Sequence, residues 1–224
     1  MSKWAGKFVI GLTGNIGTGK SVVRKMLEHL GAYGIDADAL GHRAIAKGAP
    51  GYQAVLRAFG QWLLGPDEQI DRVKLGRLVF NDPEAMHQVE AITHPLVEQA
   101  IDYIVQRATQ PVIAIEAIKL LESNLGKQCD HIWVTYASPE QQLARLIQQR
   151  KMNEVDARMR IQAQPAQEQK MNVAHVVIKN VGSFEDTWRQ VSAAWQKALP
   201  QAAPEPAPTV DRKSTRLNSS HRIR

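Results

Sequence analysis

The segment Gly14-Asn15-Ile16-Gly17-Thr18-Gly19-Lys20-Ser21 carries the strongest signal in the sequence, because it fits the pattern G-x-x-x-x-G-K-[S/T]. The apolar run Phe8 to Leu12, which has the length of a buried strand, precedes it. Val22 to Leu30, where apolar residues recur at helical spacing, follows it. We therefore predict a strand, a phosphate-binding loop and a helix, in that order. The alternative is a glycine-rich turn with an accidental Gly-Lys-Ser, and the flanking strand and helix argue against it.

The residue types in this loop suit a nucleoside triphosphate. Glycines at positions 14, 17 and 19 allow backbone N–H groups to turn inward around phosphate oxygens, and the helix adds the positive end of its dipole. Lys20 should reach the β and γ phosphates and contribute to catalysis, and the Ser21 hydroxyl should coordinate Mg²⁺. The predicted contacts to the nucleotide here are Gly14, Asn15, Ile16, Gly17, Thr18, Gly19, Lys20, Ser21 and Val22.

The rest of the sequence alternates between strand and helix patterns. Pro111 to Ala117 and His131 to Tyr136 are unalternating apolar runs, which are typical of parallel strands covered on both faces. Shorter strands are predicted at Ala32 to Ile35 and Val176 to Ile178, and Leu40 to Gln110 shows helical patterning. This order predicts an α/β fold, with a parallel sheet flanked by helices and ligands at the carboxyl ends of the strands.

Three helices have clear N-terminal signals. Ser138 to Gln141 combines an N-cap serine, a proline at the first helical position and a capping-box glutamine. Asn153 is expected to cap a helix that extends to Ala163, and Ser183 with Asp186 is expected to cap the final helix.

The composition excludes several classes of protein. With 44% apolar and 22% charged residues, the sequence is typical of a globular protein. The net charge of +6 falls to +2 without the last fourteen residues, so no nucleic-acid partner is expected. No apolar run approaches the roughly 18 residues that span a bilayer, and the single cysteine, Cys129, fits a reducing compartment. We expect a soluble, cytoplasmic protein without a membrane partner, as a monomer or small homo-oligomer.

Residues 1–199 are predicted to form one domain. The proline-rich segment after Leu199 offers little to bury, so residues 200–224 are expected to be a disordered tail. Residues 211–224 resemble a translated sequencing adapter, and we expect them not to be native.

Other motifs separate the classes of phosphate-loop protein. The sequence has no Asn-Lys-x-Asp guanine motif, which argues against a GTPase, and no Leu-Ser-Gly-Gly-Gln signature of transporter ATPases. The class that these motifs leave is a small-molecule kinase that uses ATP.

Asp36 and Asp38 leave the second predicted strand at the same sheet edge as the loop, so they could orient the acceptor hydroxyl. The alternative is that Asp38 merely caps the next helix.

The sequence resembles the dephospho-CoA kinase family from about residue 8 to 199. After the phosphate loop, Ile35-Asp-Ala-Asp38 and Ile92-Thr-His-Pro-Leu96 follow in register, and this combination is specific to the family. Further matching positions are Gly48-Ala-Pro50, Phe59-Gly60, Ile70-Asp-Arg72, Leu75-Gly76, Val79-Phe80, Asp82-Pro-Glu-Ala85, Arg145-Leu146, Ala157, Arg160-Ile161, Gln164, Lys170 and Asn180-x-Gly182.

The resemblance implies ATP-dependent phosphorylation of the ribose 3′-hydroxyl of dephospho-CoA, the last step of coenzyme A synthesis. Asp38 would orient or deprotonate the acceptor, and Asp36 would help to place the acceptor or a metal-bound water. Glu116, which stands in place of the family's aspartate, could hold a magnesium-bound water at a longer reach, so Ser21 and Glu116 are the predicted metal site.

The resemblance also implies a P-loop kinase fold with a helical acceptor-binding subdomain within about residues 40–110 and a mobile lid at about residues 145–170. Arg145 would be a catalytic cation of the lid and Arg160 a further contact to ATP. The alternative is that Arg145 and Arg160 are solvated charges on an exposed helix face. His94-Pro95 is expected either to support the acceptor site or to begin a helix.

Several positions depart from the family pattern. Its Asp-x-Pro-Leu-Leu-Phe-Glu becomes Glu116-Ala-Ile-Lys-Leu-Leu-Glu122, which loses the proline and introduces the charge of Lys119. In the lid an expected arginine falls at Gln149, with Arg150 one residue later, and His175 replaces an aspartate. These changes leave two other functions open: a related kinase for another nucleoside, nucleotide or small alcohol, and a nucleotide-binding regulator that no longer catalyses.

Overall fold

A computed structural model describes residues 3–199, and the predictions for residues 200–224 lie outside this part. In the described chain five strands form one parallel sheet in the order β2-β3-β1-β4-β5, flanked by helices, which confirms the predicted α/β fold. The strands are β1 (Phe8–Thr13), β2 (Tyr33–Asp36), β3 (Val112–Glu116), β4 (His131–Tyr136) and β5 (Val176–Lys179). The helices are α1 (Lys20–His29), α2 (Ala37–Ala44), α3 (Tyr52–Phe59), α4 (Arg72–Asn81), α5 (Pro83–Arg107), α6 (Pro139–Gln148), α7 (Glu154–Gln162), α8 (Gln167–Asn172) and α9 (Phe184–Ala198).

The centre of the sheet explains the unbroken apolar runs of the sequence. β1 pairs with β3 on one side and β4 on the other, and every residue of β3 is buried. One apolar cluster includes Ile113 and Ile101, and a second includes Leu12, Leu27 and Trp133. Each fully buried aliphatic side chain of this kind contributes about 1.5–3 kcal/mol to folding. The sheet is therefore held by burial of its central strands between helical layers.

The register of the sheet brings its carboxyl ends together. Glu116 at the end of β3 pairs with Leu12 on one neighbouring strand and with Asp36 on the other. The phosphate loop leaves β1 one residue later, after Thr13. The predicted loop, Asp36 and Glu116 therefore share one edge.

Helices α2 to α5 form a unit between β2 and β3, and they confirm the helical pattern predicted for Leu40 to Gln110. The unit has its own apolar cluster, which includes Tyr52, Val55 and Leu63. α5 runs for 25 residues with Pro95 inside it, so the expectation that His94-Pro95 begins a helix is wrong. His94 and Pro95 instead lie midway along α5, the last helix of this unit.

The predicted helix starts at Ser138, Asn153 and Ser183 are confirmed. Ser138 and Ser183 each form a complete capping box, and the Asn153 side chain accepts from the Asp156 N–H at 2.8 Å. No helix within residues 3–199 combines the length and apolarity needed to cross a bilayer.

The replacement of aspartate by His175 keeps an acceptor at that position. His175 Nδ1 accepts a hydrogen bond from the Ile132 N–H at 3.0 Å, and the His175 ring stacks on His131 with centroids 4.7 Å apart. A neutral imidazole accepts through one nitrogen, so it takes the hydrogen bond that a carboxylate could also take. His175 directly precedes β5 and contacts the start of β4, at the end of the sheet opposite the one that carries the loop.

Candidate active site

The phosphate loop turns directly from β1 into α1, as predicted. Gly14, Gly17 and Gly19 all have positive φ angles. A Cβ at Gly14 would collide with Thr135, and one at Gly19 would collide with Asn180. Glycine is therefore required at these positions both for the backbone conformation and for close packing.

Lys20 is buried inside the loop, with only 7% of its surface exposed. Its Nζ donates to the carbonyl oxygens of Gly14 at 3.0 Å and Asn15 at 3.3 Å. Burial lowers the pKa of the Lys20 ammonium from 10.5 to about 8, although the charges of Glu116 and Asp38 oppose the shift. The loop thus holds a cation that loses its charge around pH 8 and would be stabilised by an anion.

Ser21 and Glu116 meet beside this cation. The Ser21 hydroxyl donates to Glu116 Oε1 at 2.7 Å, and Arg24 Nε donates to Glu116 Oε2 at 2.9 Å. Glu116 is buried, with 4% exposure, so both of its oxygens are held in place. Arg24 also pairs with Glu28 one turn further along α1.

This pair of oxygen donors fits Mg²⁺. A hydroxyl and a carboxylate are hard ligands, and Mg²⁺ in phosphotransferases typically takes one or two protein oxygens and fills the remaining positions with phosphates and water. Residues 3–199 contain no cluster of three or more His, Cys, Asp or Glu side chains that could bind a metal alone. The two oxygen donors of Ser21 and Glu116 suit a cation that is shared with a bound nucleotide.

The structure separates the roles of the two aspartates. Asp36 is the N-cap of α2, and its Oδ1 accepts from the Ala39 N–H at 2.8 Å. Asp38 lies in the first turn of α2, where its carboxylate accepts from the Ile118 N–H at 3.2 and 3.4 Å. The alternative that Asp38 caps the helix is wrong, because Asp36 occupies that position.

The carboxyl of Asp38 is partly withdrawn from water. Burial raises its pKa above the usual value of 3.8, while the charge of Lys20 and the Ile118 N–H act in the opposite direction. Asp38 is thus electrostatically linked to the loop lysine and fixed by a backbone donor.

Asp38 also lines a cavity of about 440 Å³ between α2, α4, α5 and the segment after β3. Apolar residues form most of its wall, including Leu75, Val89 and Val97. A second cavity of about 660 Å³ shares His42, Ile45 and Arg72 with the first. The two cavities therefore adjoin each other, and Asp38 lines the first of them.

The segment from α6 to α8 packs against the loop from the other side. Arg145 donates to the Gly17 carbonyl at 3.0 Å and to the Asn180 carbonyl at 2.7 Å. Gln164 Oε1 accepts from the Ile16 N–H at 2.6 Å, and Asn15 Nδ2 donates to the Pro165 carbonyl at 2.8 Å. The predicted lid thus contacts the loop through the segments on either side of α7.

Arg160 is the predicted site residue that the structure does not bring to the loop. Its side chain is exposed on α7 and forms no hydrogen bond or ion pair with the residues that the structure describes. Arg150 does influence the loop, because its positive charge contributes, after burial, to the lowered pKa of Lys20.

Sequence reasoning missed several residues that hold the site together. Arg24 could have been found, because it lies three residues after Ser21 on the same helical face. Asn180 Nδ2 donates to the Thr18 carbonyl at 3.0 Å, and Lys170 Nζ donates to the Ile118 carbonyl at 2.7 Å. Both lie far from the loop in sequence, and their only earlier signal was the match to a family pattern.

Comparisons with known proteins agree on one family. The family model for dephospho-CoA kinase matches residues 8–186. Dephospho-CoA kinase of Geobacter metallireducens is 42% identical over 85% of this chain and 96% of its own length. That of Streptomyces avermitilis is 40% identical over 86% of this chain and 95% of its own length.

Solved structures show the same fold. The Thermus thermophilus protein TT1252 superposes with a TM-score of 0.76 and 30% identity, covering 87% of this chain and 99% of its own. Dephospho-CoA kinase from Campylobacter jejuni gives a TM-score of 0.55 and 27% identity, covering 87% of this chain and 98% of its own. Shikimate kinase from Acinetobacter baumannii, at 16% identity and a TM-score of 0.51, covers 85% of this chain and 92% of its own and shares the fold alone. With the match over residues 8–186 and the curated relatives, these findings show that the chain belongs to the dephospho-CoA kinase family.

Proposed function

We propose that this chain transfers the γ-phosphoryl group of ATP to the ribose 3′-hydroxyl of dephospho-CoA, which yields coenzyme A and ADP. The position of Asp38 carries the proposal, because this carboxylate is coupled to Lys20 of the phosphate loop and also lines the 440 Å³ cavity. Membership of the dephospho-CoA kinase family supports the same donor and acceptor.

The phosphate loop binds the triphosphate of ATP. Its backbone N–H groups and the N-terminus of α1 contact phosphate oxygens, and Lys20 exchanges two neutral carbonyl partners for charged ones. Ser21 and Glu116 would hold Mg²⁺, which would neutralise phosphate charge when bound. Arg24 keeps the Glu116 carboxylate oriented toward Ser21.

Asp38 acts on the acceptor. The oxygen of the 3′-hydroxyl forms a bond to the γ phosphorus, and the bond from that phosphorus to the β–γ bridging oxygen breaks. Asp38 accepts the hydroxyl proton, and its raised pKa makes it a stronger acceptor than an exposed aspartate. Asp36 contributes by capping α2, which fixes where Asp38 projects.

The helical unit within about residues 40–110 binds the acceptor. The apolar cavity beside Asp38 has the volume and wall chemistry for a nucleoside, and the adjoining 660 Å³ cavity has room for a long substituent. Arg72 lies where the two meet and supplies positive charge between them.

The lid at about residues 145–170 closes over ATP. Arg145 contacts Gly17, so its guanidinium stabilises both the loop and the phosphate charge that the loop binds. α7 packs on α6 through Leu146 and Ala157, so a movement of the two helices as a unit would carry Arg160 toward the nucleotide. Arg160 is therefore assigned to the closed state.

A coupled assay for ADP tests the proposal with the full chain, ATP and Mg²⁺. Dephospho-CoA should have the highest kcat/KM among nucleosides, nucleotides and small alcohols. Another preferred acceptor would favour a related kinase, and tight ATP binding without any transfer would favour a regulator. We also propose a cytoplasmic location and a monomeric or small homo-oligomeric state. Light scattering measures the oligomeric state.

A further inference from the structure

One wall of the acceptor cavity carries an ion pair that the family pattern does not contain. Lys119 stands where the resembled family has a leucine, and its Nζ pairs with Glu90 Oε1 on α5. Both residues line the cavity beside Asp38. Their side chains are 48% and 26% exposed, so the pair lies at the mouth of the cavity rather than in its interior.

The backbone fixes Lys119 close to the reacting groups. The preceding residue, Ile118, donates its N–H to Asp38 and accepts from Lys170 and Thr13 through its carbonyl. Ile118 is thus held on both sides, and Lys119 projects from the next position. An extended lysine places its ammonium roughly 6 Å from its own Cα, so this ammonium can lie within about 10 Å of the Asp38 carboxylate.

The separation of the two groups within a nucleotide is shorter than that reach. In an adenosine 5′-diphosphate group the 3′-oxygen and the first phosphorus are separated by the ribose edge, or roughly 6 Å at ordinary bond lengths. If the 3′-hydroxyl lies at Asp38, the 5′-diphosphate falls within the range of a lysine anchored at 119. The wall is largely apolar and its lysine and arginine side chains are Lys119 and Arg72, so an anion placed there needs one of these two cations.

We infer that Lys119 binds the 5′-diphosphate of the acceptor and that Glu90 competes with this diphosphate for the same ammonium. The inference rests on the proposed function and adds a specificity-determining pair to it. The ion pair opens when the acceptor enters, and Glu90 is left facing water. Glu90 thereby raises the KM for an acceptor that Lys119 favours.

The competition makes the two residues act in opposite directions. Lys119→Met should raise the KM for dephospho-CoA about tenfold, because a charge-assisted contact is lost. Glu90→Gln should lower this KM by about two- to fivefold, because the ion pair that the acceptor must break is partly exposed and contributes only modestly. In both variants the KM for ATP should stay at the wild-type value, and Lys119→Arg should restore most of the affinity for dephospho-CoA.

The test is steady-state kinetics on the full chain, with the two single variants, the Lys119→Met/Glu90→Gln double variant and wild type. The double variant should match Lys119→Met, because Glu90 acts only through Lys119. A purely structural latch would make both single variants raise the KM together. An unchanged KM in Lys119→Met, or an unchanged or raised KM in Glu90→Gln, overturns the inference. Wild-type protein that binds ATP but forms no ADP with dephospho-CoA overturns the proposed function and the inference with it, whereas active wild type with either failed shift overturns the inference alone.

Discussion

Raising the pH from 7 to 9 should weaken ATP binding, because it removes the charge of Lys20. Burial lowers the pKa of this ammonium to about 8. The charged lysine donates to two loop carbonyls at 3.0 and 3.3 Å, and a bound triphosphate would stabilise its charge much more strongly. Affinity should therefore be full below the pKa of free Lys20 and decline above it.

The size of the effect follows from that pKa. In the free chain Lys20 is charged in about nine-tenths of molecules at pH 7 and about one-tenth at pH 9. If the triphosphate binds the charged form, the apparent Kd rises about tenfold over this range, or about 1.4 kcal/mol. The terminal phosphate of a nucleotide ionises near pH 6, so it contributes little above pH 7.

Isothermal titration calorimetry with ATP and Mg²⁺ measures both the Kd and the protons taken up. Near pH 8 about half a proton should be taken up per ATP bound, which is seen by comparing buffers of different ionisation enthalpy. Lys20→Met is the matched control, because it is neutral at every pH and should bind weakly without this pH dependence. A wild-type Kd that is constant from pH 7 to 9, or that changes only near pH 10, would refute the reasoning.

Three further predictions concern groups around the site and the far edge of the sheet. Asp38→Asn should lower kcat by at least about a hundredfold while the Kd for ATP changes little, and near-normal turnover would exclude Asp38 as proton acceptor. Lys170→Met should lower kcat roughly tenfold, because Ile118 loses the contact that Lys170 makes to its carbonyl. It should also move the midpoint of the pH dependence of ATP binding to higher pH, because Lys170 helps to lower the pKa of Lys20. A midpoint at the wild-type pH would contradict this coupling. Burial and then the charge of His175 lower the pKa of His131 below 6.5, with Asp130 opposing, so the unfolded chain binds more protons. Stability should therefore fall as pH drops below about 6.5, and urea melts at pH 7 and 5 should show a smaller loss in His131→Phe than in wild type.

The local elements of the fold could be predicted because their signals are short in sequence. The loop motif needs only its own residues and the flanking strand and helix, and the capping boxes at Ser138 and Ser183 lie within one helical turn. The buried strand β3 was evident from an unbroken apolar run. In each case the residues that determine the element are neighbours along the chain.

The contacts that complete the site depend on the order of the strands, which no local pattern specifies. Ser21 meets Glu116 because β3 lies between β1 and β2, and Asp38 finds its backbone donor at Ile118, eighty residues away. The same limit applies to two other contacts. Asn180, which follows the last strand, contacts the loop, and Lys170, in the predicted lid, contacts Ile118. The position of Arg160 depends on the arrangement of α7, so its role remains a prediction.

Product analysis tests the central claim most directly. The full chain is incubated with dephospho-CoA, Mg²⁺ and ATP labelled at the γ phosphate, and the product is examined by mass spectrometry and phosphorus NMR. We expect one labelled phosphate per ADP formed, attached at the ribose 3′-oxygen, and loss of this product in Asp38→Asn protein that still binds ATP. Folded wild-type protein that binds ATP and leaves dephospho-CoA unlabelled, or labels it at another oxygen, would contradict the account.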